Sequence, residues 1–267
     1  MRVVHGIKQR GISMFHLSTR YLVITAIAAF VLAATTNDYV GNEKSILWVH
    51  AGEVTPHQNL AQGRYHVVHG WPLLPDGYSL GQGTGVGVDS QGNVFIFHRA
   101  GRVWDGPLPS EPIQNATIML FDGKTGKLLN SWGENMFIMP HGLTVDHQDN
   151  VWVTDVGRHQ IFKFSHDGKL LLTLGTREVP GADDSHFNRP TDVAVLRDGS
   201  FYVSDGYRNT RVLKFSADGR FQFEWGSKGT GSGEFNLPHG IAIDNQGRVY
   251  VCDRSNARVQ VFDSGGK

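Results

Sequence analysis

The sequence predicts an all-β fold, a β-propeller built from four-stranded antiparallel sheets, and three observations predict it. The 267 residues include 33 Gly and 10 Pro together with 15 Phe, 7 Tyr and 6 Trp, a composition typical of short strands joined by tight turns. Four stretches of fifteen residues align with one another without gaps. Their last positions lie 57, 50 and 48 residues apart, which is the spacing of propeller blades with one insertion.

Each aligned stretch predicts a β-hairpin, because two alternating apolar segments flank a turn rich in Asp, Asn and Gly. The four stretches cover residues 84–98, 141–155, 191–205 and 239–253. Three units continue into a predicted third strand, at 160–164, 212–215 and 259–262, and two of them into a fourth, at 169–174 and 220–225. The extra length of the first unit falls near residues 107–115, where three prolines predict a surface loop.

The first 38 residues predict a targeting segment. Four basic residues and no acid precede Asp38, and the apolar run at residues 21–34 is shorter than the roughly 20 residues that a membrane-spanning helix needs. We therefore expect a cleaved export signal, with an uncleaved signal anchor as the alternative. Residues 39–267, the propeller domain, are expected to work outside the cytoplasm, either secreted or periplasmic, or held at the membrane if the leader stays attached.

Charge and cysteine content narrow the possible partners. The 25 basic and 25 acidic side chains balance, so a nucleic-acid partner is not expected. The single cysteine, Cys252, excludes an internal disulfide and any multi-cysteine metal site, which leaves His, Asp and Glu as metal ligands. Cys252 itself lies in a predicted strand, and we interpret it as a small buried apolar residue.

Two histidines occupy the same position of the repeat. His141 and His239 start the first strand of their units, whereas the other two units have Thr84 and Thr191 there, so the fold does not require histidine. First strands line the central channel of a propeller, and equivalent positions therefore converge at one mouth. Imidazoles from alternate blades suit a zinc site with three protein ligands and one open position. The alternative is two channel histidines that hydrogen-bond to water or backbone.

Several motifs resemble a known family. They are FHRAGRVWDG at 97–106, MPHGL at 139–143, FNRPTDVAV with VSDGY within 187–207, and LPHGI with DRSNAR within 237–258. The last unit is similar to an NHL repeat, and residues 65–263 together resemble the six-bladed catalytic core of the peptidyl-α-hydroxyglycine α-amidating lyases, or peptidylamidoglycolate lyases. About four NHL-type blades are accounted for here, so the resemblance implies a C-terminally incomplete propeller.

The resemblance also implies roles for individual residues. His141 and His239 would bind zinc, Tyr207 would remove or orient the proton of the substrate hydroxyl, and Arg99 and Arg254 would lie near the substrate carboxylate. The alternatives are a packed loop aromatic for Tyr207 and solvated or Asp-paired side chains for the arginines. The family's structural calcium is held partly by backbone oxygens, which correspond to Val86 and Leu143.

The third zinc ligand is missing from the pattern. The lyases place it in a later PHD-type motif, which this sequence does not contain. The alternative ligands are four upstream histidines, which do not follow the pattern of a Pro-His pair that begins a predicted strand: His50, His57, His66 and His69. We expect weak zinc binding and impaired activity in the chain as it stands, because two ligands leave the remaining sites to water.

Recurrent aspartates are interpreted as structural. Asp155, Asp205 and Asp253 end the second strands of their units, and a carboxylate repeated at one position is typical of a cap for the adjoining loop. Two functions therefore remain open. One is an exported zinc lyase that converts peptidyl-α-hydroxyglycine, or a related N-acyl-α-hydroxyglycine, to the amide and glyoxylate. The other is a non-catalytic NHL propeller that binds a protein or peptide on its channel face.

Overall fold

The computed structural model describes residues 67–267, which fold into four successive antiparallel sheets. Blades 1 and 2 comprise strands β1 to β8, in chain order Gly83–Val88, Val94–His98, Ile118–Phe121, Leu128–Trp132, Pro140–Val145, Val151–Asp155, Gln160–Phe164 and Leu170–Leu174. Blade 3 comprises β9 to β12, at Pro190–Val195, Phe201–Asp205, Arg211–Phe215 and Phe221–Trp225. A short parallel pair follows, β13 and β14, at Ser227–Lys228 and Glu234–Phe235. Blade 4 comprises β15 to β17, at Pro238–Ile243, Val249–Asp253 and Arg258–Phe262, with a 3₁₀ turn at Arg254–Asn256.

The predicted propeller fold and its four hairpins are confirmed. In every blade the first two strands pair antiparallel, and sheet order follows chain order. An aspartate closes three of the hairpin turns by accepting backbone N–H groups of the residues two and four positions on: Asp89, Asp146 and Asp244. These local bonds explain why the turn residues alone were sufficient to place the hairpins.

Blade 1 is a complete four-stranded sheet, as the predicted blade architecture requires. Its third and fourth strands, β3 and β4, were not located from the sequence, because a long connection at residues 99–117 separates them from the hairpin. Residues 107–115 form the predicted loop, although Ile113 within it is buried.

Alternation along each strand sends neighbouring side chains to the two adjacent blades. In β6, Val151 and Val153 pack with Phe95 and Phe97 of blade 1. Trp152 packs instead on the blade 3 side, where its ring centroid is 4.5 Å from that of Phe201. A third cluster, centred on Tyr202 and Val251, joins blades 3 and 4. The core is therefore a series of apolar layers between blades, and each layer depends on both of its sheets.

The recurrent aspartates act as the sequence analysis expected. Asp155 is fully buried and accepts hydrogen bonds from the backbone N–H groups of Ile138, Met139, Gly157 and Arg158, at 2.7 to 3.1 Å. Asp205 and Asp253 hold the equivalent loops of blades 3 and 4 through backbone and side-chain donors. Cys252 is buried, and burial raises the pKa of its thiol to about 11.

The predicted leader at residues 1–38 lies outside the described residues, and so do His50, His57 and His66. Across residues 67–267, no helix is long and apolar enough to cross a membrane.

Candidate active site

The structure brings His141 and His239 together although 98 positions separate them in the sequence. His141 lies at the start of β5 and His239 at the start of β15, on the first strands of alternate blades. Their ring centroids are 4.7 Å apart, with the ring planes at 71°. The repeat position therefore places both imidazoles at one mouth of the channel, as predicted from the propeller geometry.

Thr191, the equivalent residue of blade 3, orients His141. The Nδ1 atom of His141 lies 2.7 Å from the carbonyl oxygen of Thr191. A carbonyl only accepts hydrogen bonds, so Nδ1 carries the proton and Nε2 of the neutral ring presents a lone pair. This arrangement, a histidine whose other nitrogen is fixed by a carbonyl, is typical of metal-ligating histidines.

Both imidazoles point at one atom. The hydroxyl oxygen of Tyr207 lies 3.0 Å from Nε2 of His141 and 3.1 Å from Nε2 of His239. Burial, with the nearby Arg99 and Arg254 guanidiniums, lowers the pKa of His141 to about 4 in spite of the hydrogen bond to the Thr191 carbonyl, which raises it. Burial and the same Arg254 also hold the pKa of His239 well below its usual value. Both rings are therefore neutral at pH 7, which is the form that binds metal.

Two guanidinium groups border this centre. Nη1 of Arg254 lies 3.5 Å from the Tyr207 hydroxyl oxygen. Arg99 donates from Nε to the carbonyl of Pro140 at 3.1 Å and from Nη1 to the side-chain oxygen of Gln82 at 2.9 Å. Burial lowers the pKa of Arg99, which nevertheless stays protonated near neutral pH. All five side chains that the sequence analysis predicted as zinc-binding or catalytic thus lie in one cluster.

Two further residues at this mouth were not predicted. Asp192 follows Thr191, where blades 2 and 4 have Gly142 and Gly240, and it accepts hydrogen bonds from the backbone N–H groups of Ile241 and Val193. Burial raises the pKa of this carboxyl to about 7. The sequence signal that could have identified Asp192 is that it replaces the glycine found at this repeat position in blades 2 and 4.

Trp104 is the second unpredicted residue. Its ring centroid lies 4.9 Å from that of Tyr207, and the guanidinium carbon of Arg99 lies 5.6 Å from the indole centroid. Trp104 lies 103 positions before Tyr207 in the sequence, so only the fold relates the two rings. A shallow groove of about 390 Å³ opens beside Arg99, between residues 99–102 and residues 111–115.

The residues present fit zinc as a two-histidine donor set, since two neutral imidazoles converge on one point. Within residues 67–267, no three His, Cys, Asp or Glu side chains group closely enough to hold a metal ion. His69, the one upstream histidine that the structure describes, lies in an exposed turn before β1. Val86 and Leu143 lie on the first strands of blades 1 and 2, which approach so closely that a Cβ on Gly85 would meet Leu143 at 2.6 Å.

Comparison with known proteins identifies the repeat and its relatives. The NHL repeat family model matches residues 137–164, 187–215 and 235–262. The chain is 42% identical over 229 residues to the peptidylglycine α-amidating monooxygenase of Rattus norvegicus, covering 77% of this chain and 23% of that protein. It is 42% identical over 221 residues to peptidyl-α-hydroxyglycine α-amidating lyase 1 of Drosophila melanogaster, covering 74% of this chain and 40% of that protein. The chain therefore spans less than half the length of either relative.

A solved structure of a streptogramin B lyase superposes with a TM-score of 0.52 at 16% identity, covering 70% of this chain and 53% of the other. At this identity the similarity concerns the fold alone. The fold, the repeats and the level of identity to named lyases agree with one another. The chain is an NHL-repeat β-propeller protein homologous to the peptidyl-α-hydroxyglycine α-amidating lyases.

Proposed function

We propose that this protein is a zinc-dependent lyase that cleaves peptidyl-α-hydroxyglycine, or a related N-acyl-α-hydroxyglycine, to the amide and glyoxylate. In this reaction the hydroxyl loses its proton and its O–H electron pair forms the carbonyl of glyoxylate. The carbon–nitrogen bond breaks, its electron pair goes to nitrogen, and nitrogen takes up a proton. The reaction therefore needs a group that accepts a proton, a group that returns one, and a fixed cation for the carboxylate.

Tyr207, in its phenolate form, would meet the first requirement. Its oxygen lies 3.0 and 3.1 Å from the two Nε2 atoms that are proposed to bind zinc and 3.5 Å from the Arg254 guanidinium, so the phenolate that would take the hydroxyl proton faces a positive charge. The same oxygen, once protonated, is positioned to return the proton to the departing amide nitrogen. The convergence of both Nε2 atoms on this oxygen is the observation that carries the proposal.

Arg99 and Arg254 are proposed to bind the carboxylate of the hydroxyglycine unit. A guanidinium offers two parallel donors to a carboxylate, which fixes the direction of the substrate as well as its charge. The contacts of Arg99 with Pro140 and Gln82 hold its stem and prevent the guanidinium from swinging into solvent. The homology to lyases at 42% identity supports these assignments.

Zinc, held by His141 and His239, would polarise the substrate hydroxyl as a Lewis acid and ease its deprotonation. The neutral state of both rings and the fixed tautomer of His141 support the assignment. We also propose that the backbone oxygens of Val86 and Leu143 contribute to a calcium site, which rests on the family resemblance and on the close approach of their two strands.

The test measures glyoxylate released from N-benzoyl-α-hydroxyglycine by zinc-loaded protein. One sample is the chain itself, and a second carries, fused after Lys267, the remaining part of the Drosophila relative. We expect zinc-dependent release in at least one sample and a loss of roughly 100-fold or more in Tyr207→Phe. Tyr250→Phe is the matched control, because that hydroxyl bonds Asp244 in a hairpin turn. The absence of glyoxylate from both samples would contradict the proposal.

Metal analysis after dialysis tests the ligands separately from activity. His141→Ala and His239→Ala should each lose zinc, whereas His186→Ala should retain it, because His186 lies in a loop and contacts Asp183 and Thr176. Full zinc content in the double variant would place the metal elsewhere in the protein.

The second candidate is a non-catalytic NHL propeller that binds a peptide at the channel mouth. The observation that favours it is that the described residues supply only two histidines to the centre. It predicts peptide binding that persists in Tyr207→Phe and after removal of zinc. Glyoxylate formation in either sample decides against it.

Export from the cytoplasm is a further part of the proposal, supported by the basic and apolar pattern of the leader. N-terminal sequencing of exported protein should find the start between about residues 33 and 39. Full-length protein recovered from the cytosol would contradict it.

A further inference from the structure

The connection between β2 and β3 distinguishes blade 1. It runs from residue 99 to residue 117, whereas the equivalent connections of blades 2, 3 and 4 cover 156–159, 206–210 and 254–257. The shorter connections are sufficient to join the same two strands, so the added length does not serve strand pairing.

This loop is fixed onto the segment that leads into His141. Nη1 of Arg102 donates to the carbonyl oxygens of Ile138, at 2.6 Å, and Glu111, at 2.8 Å. The backbone of Ile113 bonds Phe137 and Asn135, at 2.7 and 2.8 Å. The bond to Glu111 lies within the loop, and the other three join the loop to the connection between β4 and β5, so the loop is held at the mouth of the channel.

The anchored loop presents an aromatic surface to the candidate active site. Trp104 and Leu108 pack with Tyr207 on a buried apolar base of Ile138, Met139 and Val156. The indole nevertheless remains partly exposed. Its ring centroid lies 4.9 Å from the ring centroid of Tyr207 and 5.6 Å from the guanidinium carbon of Arg99. The indole therefore borders both side chains that are proposed to contact the hydroxyglycine unit of the substrate.

The substrate has one part without a partner among these groups. Its hydroxyl is assigned to Tyr207 and its carboxylate to the arginines, which leaves the acyl group on the amide nitrogen. Tyr207 contacts the two imidazoles and the Arg254 guanidinium, which are polar, and the Trp104 indole, which is apolar. Leu108 packs against the same apolar base as Trp104. A partly exposed indole binds flat or aliphatic groups well, because it buries a large area with few rotatable bonds.

We propose that Trp104 is a specificity-determining residue that contacts the acyl group preceding the hydroxyglycine, and that the site favours substrates in which this group is aromatic or bulky and apolar. This proposal rests on the proposed lyase function. Leu108 completes the contact surface, and the bonds between the loop and the segment that leads into His141 keep the surface in place during turnover.

The experiment compares two substrates, N-benzoyl-α-hydroxyglycine and N-acetyl-α-hydroxyglycine, in the more active of the two samples described above. In Trp104→Ala we expect kcat/KM for the benzoyl substrate to fall about tenfold more than that for the acetyl substrate, mostly through KM. Trp104→Phe should keep most of the preference. Trp225→Ala, a partly buried tryptophan on the outer strand of blade 3, controls for general loss of packing and should leave the ratio unchanged. Equal losses for both substrates in Trp104→Ala would overturn the proposal.

A binding measurement separates this proposal from the lyase function. N-benzoylglycine and N-acetylglycine lack the α-hydroxyl and cannot be cleaved, so calorimetric titration reports recognition of the acyl group alone. We expect the wild-type chain to bind the benzoyl compound at least about fivefold more tightly, and Trp104→Ala to lose this difference. Discrimination without any glyoxylate release would reject the lyase function and support the aromatic surface. Equal binding of both compounds by the wild type, or no binding, would overturn the role of Trp104.

Discussion

Asp155 offers a direct test of how the fold builds the site. Its fully buried carboxylate accepts bonds from four backbone N–H groups, two on the segment before His141 and two on the turn after β6. Asp155→Ala leaves those four donors without an acceptor. The donors of Ile138 and Met139 are buried and those of Gly157 and Arg158 are partly buried, so at about 1 kcal/mol for each fully buried donor the loss is about 2 to 4 kcal/mol. For a domain of this size, that lowers the melting temperature by about 4 to 16 °C.

Thermal and urea unfolding, followed by circular dichroism, measure this loss. Asp167→Ala is the matched control, because the Asp167 side chain is 94% exposed, and we expect it to stay within about 0.5 kcal/mol of wild type. The same carboxylate fixes the backbone that carries His141, so zinc retention should fall together with stability. An Asp155→Ala protein that unfolds within about 1 kcal/mol of wild type would refute the reasoning.

Substitutions of Gly142 and His166 test contacts between neighbouring blades. Gly142→Ala should destabilise the protein by about 1–3 kcal/mol in urea unfolding, because its Cβ would lie 2.6 Å from the carbonyl oxygen of Thr191; Gly101→Ala, whose Cβ meets nothing within 4 Å, should be neutral. The pair formed by His166 and Asp89, at 2.9 Å, predicts a pH dependence. Burial opposes both pKa shifts, yet the hydrogen bond between the two side chains raises the pKa of His166 and lowers that of Asp89. The pair therefore stabilises the fold fully between about pH 4 and 6.5, and this stabilisation is lost as pH rises through the raised pKa of His166. His166→Gln should therefore cost up to about 1 kcal/mol at pH 5.5, since solvent screens the 35% exposed imidazole, and much less at pH 9; an equal cost at both values would contradict the ion pair.

Local sequence patterns were sufficient to predict the repeated parts of this protein. Period-two alternation and turn residues such as Asp146 and Asp244 act within a few positions, so they placed the four hairpins without reference to the rest of the chain. The recurrence of His141 and His239 at one repeat position also predicted that they would meet, because a propeller brings equivalent positions of its first strands to one channel mouth.

The surroundings of those two histidines depend on how the blades pack, which no local pattern predicts. Trp104 reaches Tyr207 because a loop of blade 1 is bonded to the segment that leads into blade 2, and no local pattern relates two residues 103 positions apart. In the sequence, Thr191 showed only that blade 3 has no histidine at this repeat position. In the structure, its carbonyl sets the tautomer of His141 from the neighbouring blade. Backbone carbonyls carry no sequence signal of their own, and contacts between blades depend on how far each strand twists and how closely the sheets pack. The repeat pattern therefore determined the positions of the two histidines, and the packing of one blade on the next determined their protonation and their neighbours.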